Sequence, residues 1–144
     1  MREISDALEL LTAQHELIEF LVVQVQQTYD QDAFDELADK LVAHLALEQE
    51  LFYPAIAGCV SDEVQRELLA EHVAIKHVLA ELVWLGVGDC DFGCKLHELS
   101  YLLDGHCGYQ EDELFEHVAE QMPTEQLVSL GTQLSSFESH QIAA

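Results

Sequence analysis

One histidine and one glutamate, four residues apart, dominate the chemistry available to this sequence. They are His44 and Glu48, within the stretch HLALEQELFYP. On a helix, residues four apart lie one above the other on the same face. That face is otherwise apolar, with Phe34, Leu37 and Leu41 at steps of three and four. An imidazole and a carboxylate therefore occupy positions where a packed helix normally presents leucine or isoleucine.

Three further apolar repeats each carry one histidine near their middle: His15, His72 and His106. A helix rises about 1.5 Å per residue. If successive helices alternate in direction, that rise brings the four imidazoles to the level of Glu48 and of Glu111 on the fourth helix. The sequence therefore predicts one polar layer within an apolar core.

Such a layer is costly unless something binds it. Burying an unpaired polar or charged group costs several kcal/mol, whereas a whole domain is stable by about 5–15 kcal/mol. A bound pair of metal ions removes this cost, because imidazole nitrogens and carboxylate oxygens become ligands. The donor set favours iron, with manganese as second choice, and a single structural zinc uses only four groups. A hydrogen-bond network that satisfies every member is the alternative.

The fourth helix offers two candidates for its inward carboxylate position. Four residues after His106 is Gln110, a neutral amide and a poor bridge, and five residues after it is Glu111. At about 100° per residue, His106 and Glu111 lie on either side of the apolar seam. We expect Glu111 to be the ligand and Gln110 a weak ligand or a supporting hydrogen-bond donor. On helix three, His77 lies about 180° from the seam and is a less favoured ligand, while Glu71 either orients an imidazole or carries surface charge.

The elements that position these groups are predicted to be helical. Apolar repeats with steps of three and four predict four helices joined by short connections. The first, second and fourth lie at about residues 5–28, 32–57 and 91–121. The third lies between a cap at Ser61 or Asp62 and a break at Gly86. This pattern indicates an all-α protein, an up-down-up-down four-helix bundle over about residues 5–121. A short fifth helix at about 124–138 is expected to cover one end of the bundle. We interpret residues 1–144 as a single domain.

Charge and composition narrow the classes of partner. The chain has 28 Asp and Glu against five Lys and Arg, a formal net charge of −23. Such a field repels nucleic acid and anionic membranes and favours cation uptake. No apolar run is long enough to span a membrane, and no signal peptide is evident. With four cysteines and no need for a disulfide framework, we expect a cytoplasmic protein with reduced thiols.

The histidine-bearing segments resemble, in this order, the hemerythrin and HHE cation-binding family. The segments are AQHELIEFL, HLALEQELFYP, EHVAIKHVL and HCGYQEDELF. The resemblance covers about residues 5–120. It implies a non-haem di-iron centre inside a four-helix bundle, with an oxo or hydroxo group and two carboxylates bridging the irons. Carried over by position, it implies metal ligation by His15, His44, Glu48, His72 and His106, with Glu111 matching the histidine-plus-five carboxylate of the oxygen-carrying branch.

The chain departs from the family pattern at two positions. Gln110 stands where many bacterial members have a carboxylate, and Lys76 stands where oxygen carriers have a second histidine on helix three. His77 is displaced from that position by one residue. The departures predict one iron with an open or water-filled position, and they argue against the familiar reversible oxygen carriage.

The sequence thus predicts a di-iron protein that binds O2, NO or peroxide for sensing, storage or scavenging. A sensor would need a separate partner protein. One alternative is a di-iron enzyme that turns over peroxide or NO, or that donates iron for repair of iron–sulfur centres; Cys107 beside His106 mildly favours it. The other is a metal-free bundle whose acidic face binds a basic partner, with its histidines satisfied by hydrogen bonds.

Overall fold

The computed structural model describes the backbone of residues 6–143 and the side chains of residues 6–139. Its elements are α1 (Ala7–Thr28), α2 (Gln31–Leu47), π1 (Glu48–Phe52), α3 (Tyr53–Ala55), α4 (Asp62–Leu85), α5 (Phe92–Tyr109), π2 (Gln110–Leu114), α6 (Phe115–Gln121) and α7 (Thr124–Ala143). No strand occurs in this part of the chain, so the all-α class is confirmed. None of its helices is both long and apolar enough to cross a membrane. Residue 5, the predicted start of the first helix, lies outside the described residues.

Side-chain caps start three of the long helices, α1, α2 and α4, and so fix where each begins. Asp6 and Glu9 form a reciprocal capping box at α1, in which the Glu9 N–H donates to Asp6 Oδ1 at 2.9 Å. Asp30 at α2 and Ser61 at α4 form simple caps, in which their side chains accept hydrogen bonds from the Ala33 and Val64 N–H groups. Each cap satisfies backbone N–H groups that have no partner within the helix. Tyr29, in the left-handed region at φ 50°, ends α1 and allows the sharp turn into α2.

Two π-helical turns interrupt the second and fourth predicted helices. In π1 the Tyr53 N–H donates to the Glu48 carbonyl, and in π2 the Phe115 N–H donates to the Gln110 carbonyl. Both are bonds between residues five apart, one more than in an α-helix. The prediction of two continuous α-helices is wrong in this detail. Single π turns of this kind are frequently found at functional sites.

The terminal helix is longer than predicted. α7 has 20 residues, whereas we expected a short helix ending near residue 138. It continues because residues 132–143 contain neither glycine nor proline to stop it. Its leucines at 127, 130 and 134 are buried, and α7 packs against α1 and α2.

The apolar core consists of two clusters with the histidine layer between them. On α1, His15 lies between Leu11 of one cluster and Ile18 of the other; α4 has the same order of clusters around its histidine, and α2 and α5 run from the second cluster toward the first. α1 packs against α2 and α5, and α4 packs against α5. These contacts are compatible with the predicted up-down-up-down bundle, which we keep as our interpretation of the arrangement.

Candidate metal centre

Glu48 is the centre of the buried polar layer. Its Oε1 lies 2.9 Å from His72 Nε2 and 3.0 Å from His106 Nε2, both within hydrogen-bonding distance. His44 Nε2 is 3.4 Å away. These four side chains are at most 3% exposed. One carboxylate at the start of π1 thus gathers imidazoles from α2, α4 and α5.

His15 brings α1 into the same layer. Its ring centroid is 5.0 Å from that of His44. His15, His44, Glu48 and His106 each offer a ligand atom, and these atoms all lie within 4.8 Å of one another. Such a group could hold a metal ion, and His72 lies against the Glu48 carboxylate of this group.

The outer nitrogens of two imidazoles bond to carboxylates. His15 Nδ1 is 2.7 Å from Glu111 Oε2, and His106 Nδ1 is 2.8 Å from Glu71 Oε1. Because an ionised carboxylate only accepts hydrogen bonds, these Nδ1 atoms carry protons and donate them. The Nε2 atoms then face the layer, the arrangement in which outer partners orient metal-binding histidines.

Hydrogen bonding stabilises opposite charges in the metal-free layer. Burial lowers the pKa of His106, but the hydrogen bonds to Glu48 and Glu71 outweigh it and raise that pKa to about 9. Burial raises the pKa of Glu48, but the attraction of His44 and hydrogen bonds from the imidazoles hold it well below its ordinary value. Burial, with the neighbouring His44, lowers the pKa of His15. If His106 binds a metal through Nε2, that nitrogen would first have to release its proton.

Tyr53 and Gln110 complete one side of the layer. Tyr53 Oη lies 3.0 Å from His72 Nε2 and 3.4 Å from Glu48 Oε1, and Gln110 Nε2 donates to Tyr53 Oη at 3.0 Å. Burial, reinforced by the charge of Glu48, raises the pKa of Tyr53 and keeps it a neutral phenol. Sequence reasoning assigned no role to Tyr53. The sequence features that could have indicated a role for Tyr53 are its position five residues after Glu48 and its place directly before the helix-breaking Pro54.

Several buried nitrogen and oxygen atoms of the layer have no hydrogen-bond partner. Among the side chains that the structure describes, the buried atoms without a hydrogen-bond partner are His15 Nε2, His44 Nε2, Glu48 Oε2, His72 Nδ1 and Gln110 Oε1. Each such group costs about 1–3 kcal/mol, so their sum is comparable with the stability of a whole domain. Imidazole nitrogens and carboxylate or amide oxygens are donors that iron and manganese accept. The residues therefore fit a bound metal.

Comparison with known proteins agrees with this chemistry. The family model described as the hemerythrin HHE cation binding domain matches residues 6–118. This chain belongs to the hemerythrin HHE cation-binding family. The resemblance of its histidine-bearing segments is thereby confirmed, and the matched span contains every histidine and carboxylate of the layer.

The hemerythrin-family chain is also similar to a DNA nickase of Nostoc sp. strain PCC 7120. The two are 22% identical over 135 residues, which cover 91% of this chain and 38% of the relative. The chain thus spans well under half the length of that protein. No solved structure matches the chain significantly.

Within this hemerythrin-family site, Gln110 lies deeper in the layer than Glu111, the residue that we expected to be the ligand. Gln110 is fully buried in the layer, whereas the Glu111 side chain is 37% exposed and bonds to the outer nitrogen of His15. Regular α-helix continues from His106 to Tyr109, so the residue at plus four stays on the histidine face. The residue at plus five is turned by about 140°. Glu111 lies at the edge of the layer, and its ligation of a metal stays a prediction.

The other polar residues differ in whether they contact the histidine layer. His77 is not brought to the layer; its side chain is 75% exposed and lies 3.5 Å from Glu81 on the outer face of α4. Glu71 does orient an imidazole, that of His106. Gln14, which sequence reasoning missed, accepts from His44 Nδ1 at 2.6 Å.

Proposed function

We propose that this chain binds two iron ions in the histidine layer and uses them to bind O2, NO or peroxide for sensing, storage or scavenging. Manganese is the second choice of metal. The observation that carries the proposal is the set of buried nitrogen and oxygen atoms without partners. A buried nitrogen or oxygen lone pair that the protein leaves without a partner is best explained by an external partner, here a cation.

Two donor groups that share Glu48 support a pair of ions. His15, His44 and His106 form one group with Glu48. His72 lies against the same carboxylate, beside Tyr53 and Gln110, and forms the second. A carboxylate offers two oxygens, so Glu48 can serve both ions. Glu111 is a further proposed ligand, reached by rotation of its partly exposed side chain.

The surrounding chain would protect such a centre from bulk water. Bound iron supplies a redox-active ion that coordinates small diatomic or peroxidic molecules. Phe115 stacks on the His15 ring, with centroids 6.0 Å apart and planes at 9°, and apolar clusters lie on both sides of the layer. The neutral Tyr53 phenol provides a hydrogen-bond donor directed into the layer. Gln110 and Lys76, in place of stronger ligands, favour an open coordination position.

The deciding experiment is metal content per chain together with an absorption spectrum of aerobically purified protein. We expect two irons per chain, ferric charge-transfer absorption, and a lower melting temperature after chelation, because a ligand bound only to the folded state stabilises it. One ion per chain would contradict the pair, and a tightly held zinc would contradict iron. A melting temperature insensitive to chelation would support the metal-free bundle instead.

Anaerobic ferrous protein mixed with O2, NO or peroxide in a stopped-flow instrument tests ligand handling. We expect a saturable spectral change that ends after one equivalent. Sustained peroxide turnover with the centre intact would instead support the enzyme alternative. Cys107 adds little to that alternative, because burial raises the pKa of its thiol and only a thiolate is an effective nucleophile.

We do not transfer DNA nicking from the Nostoc relative to this chain. The similarity covers 38% of that protein, and a formal charge of −23 opposes contact with phosphates. We propose the cytoplasm as the compartment, since its reducing poise preserves both ferrous iron and the free cysteines. A supercoiled plasmid incubated with iron-loaded protein should stay supercoiled.

A further inference from the structure

We propose that Glu138 on the terminal helix α7 selects the metal-binding tautomer of His44 through Gln14. Glu138 lies beyond residues 6–118, the span that the family model matches. α7 would then be part of the metal centre as well as a cover for the apolar core. This inference rests on the metal-binding function proposed above.

The hydrogen bonds run in one direction from α7 to the layer. Gln14 Nε2 lies 2.5 Å from Glu138 Oε2, and His44 Nδ1 lies 2.6 Å from Gln14 Oε1. Glu138 is an acceptor only, so the amide must turn its NH2 group toward Glu138 and its oxygen toward His44. In its neutral form, the one that can bind a metal, His44 must then carry its proton on Nδ1. Its Nε2, which has no hydrogen-bond partner, presents a lone pair to the layer.

His44 differs from His15 and His106 in the kind of side chain that its outer nitrogen bonds to. His15 and His106 bond directly to carboxylates, Glu111 and Glu71. A carboxylate accepts at either oxygen, so it fixes the tautomer of its histidine without help from another residue. An amide accepts at one end and donates at the other. Only for His44, therefore, does the tautomer depend on a third residue.

The surroundings leave Gln14 free to turn if Glu138 no longer constrains it. Gln14, His44 and Glu138 line a cavity of about 160 Å³ between α1, α2 and α7, together with Lys40. A reversed amide would donate to His44 Nδ1 and move the imidazole proton to Nε2. That proton would occupy the lone pair that a metal needs.

Glu138→Gln is the primary test, because it keeps the shape of the side chain and removes only its acceptor-only character. In long-range 1H–15N spectra of the metal-free protein, we expect His44 to change from the Nδ1-protonated form to a mixture of tautomers. We expect the affinity for Fe2+, measured anaerobically against a chromophoric chelator, to fall by about tenfold, as is typical when an outer partner of a ligand is lost. Glu125→Gln, the same change at an exposed position of α7, should alter affinity by less than about twofold.

The double variant Gln14→Glu with Glu138→Gln provides the rescue. It exchanges the two groups, so a carboxylate at position 14 accepts from His44 and the amide at position 138 donates to that carboxylate. Charge and composition are unchanged. We expect a single Nδ1-protonated tautomer and Fe2+ affinity within about threefold of the original protein, since an outer carboxylate orients a ligating imidazole well. A merely structural role of α7 predicts no such rescue.

An unchanged His44 tautomer in Glu138→Gln would overturn the inference, as would a double variant that fails to restore it. Melting curves of the metal-free variants verify that each is folded. If the original protein binds no metal at all, the proposed function fails. The tautomer readout needs no metal, so it still decides whether Glu138 acts on His44.

Discussion

The two π turns occupy equivalent positions at the layer, but they contribute side chains of different charge. π1 and π2 each begin four residues after a buried histidine, His44 or His106, and each begins with a fully buried side chain, Glu48 or Gln110. Glu48 meets three imidazoles. Gln110 reaches only Tyr53, and its oxygen has no partner. The backbone thus positions the side chain, and the identity of that side chain decides whether the turn contributes an anion.

The difference has a simple electrostatic reason. Two carboxylates a few ångströms apart in a buried layer repel each other, and one of them must take up a proton. Glu48 already has its charge balanced by imidazoles. A neutral amide at position 110 avoids a second buried negative charge in the metal-free protein, at the expense of one strong ligand.

The largest effect should come from removing the anion of π1. Glu48→Gln removes the negative charge that faces three imidazoles, and breaking a buried charged cluster in this way costs about 3–5 kcal/mol. We expect metal affinity to fall by more than about 100-fold, measured by chelator competition. Glu50→Gln, an exposed position in the same turn, is the matched control. Full iron content in Glu48→Gln would refute the central role of this carboxylate.

The reverse change should make the two turns alike. Gln110→Glu supplies the missing anion, and we expect metal affinity to rise by about tenfold. Without metal, the second buried carboxylate should destabilise the protein by about 1–3 kcal/mol. Urea unfolding with and without chelator measures both signs. Gln121→Glu, an exposed amide further along the same helix, should show neither effect; equal stability of Gln110→Glu and the original protein without metal would contradict the electrostatic argument.

Tyr53 joins the two turns, and its hydroxyl should have a moderate effect. Tyr53→Phe removes the acceptor of Gln110 and the contacts with His72 and Glu48. We expect the free energy of unfolding of the metal-free protein to fall by about 1–2 kcal/mol. Tyr101→Phe is the control, because Tyr101 is 75% exposed. A loss of stability no larger than that of the control would show that the hydrogen bonds of the Tyr53 hydroxyl in the folded protein are no stronger than those it makes to water in the unfolded chain.

The smallest effect should come from His77. Its exposed position beside Glu81 predicts that His77→Ala changes metal affinity by less than about twofold. His72→Ala, five residues earlier on α4, serves as the positive control and should weaken binding strongly. A loss of metal in His77→Ala would mean that α4 changes register when metal binds.

Sequence reasoning reached the helices and the composition of the layer because both depend on local geometry. A period of 3.6 residues and a rise of about 1.5 Å per residue are the same in every α-helix. Those constants sufficed to bring His15, His44, His72 and His106 to the level of Glu48. The same constants place Glu111 about 140° from His106. It lies at the edge of the layer, and its role as a ligand stays a prediction.

The sequence by itself determined the all-helical class, the family and the imidazole layer, because apolar periodicity and the order of histidine-bearing segments are properties of the chain alone. Only the tertiary structure decided that Gln110 faces inward, that Tyr53 lies against His72, and that Gln14 connects His44 to α7. Each of these contacts joins residues from different helices, so it depends on how the helices pack. The π turns likewise appear only in the structure, because the apolar periodicity of the sequence does not distinguish a bond between residues five apart from the α-helical bond.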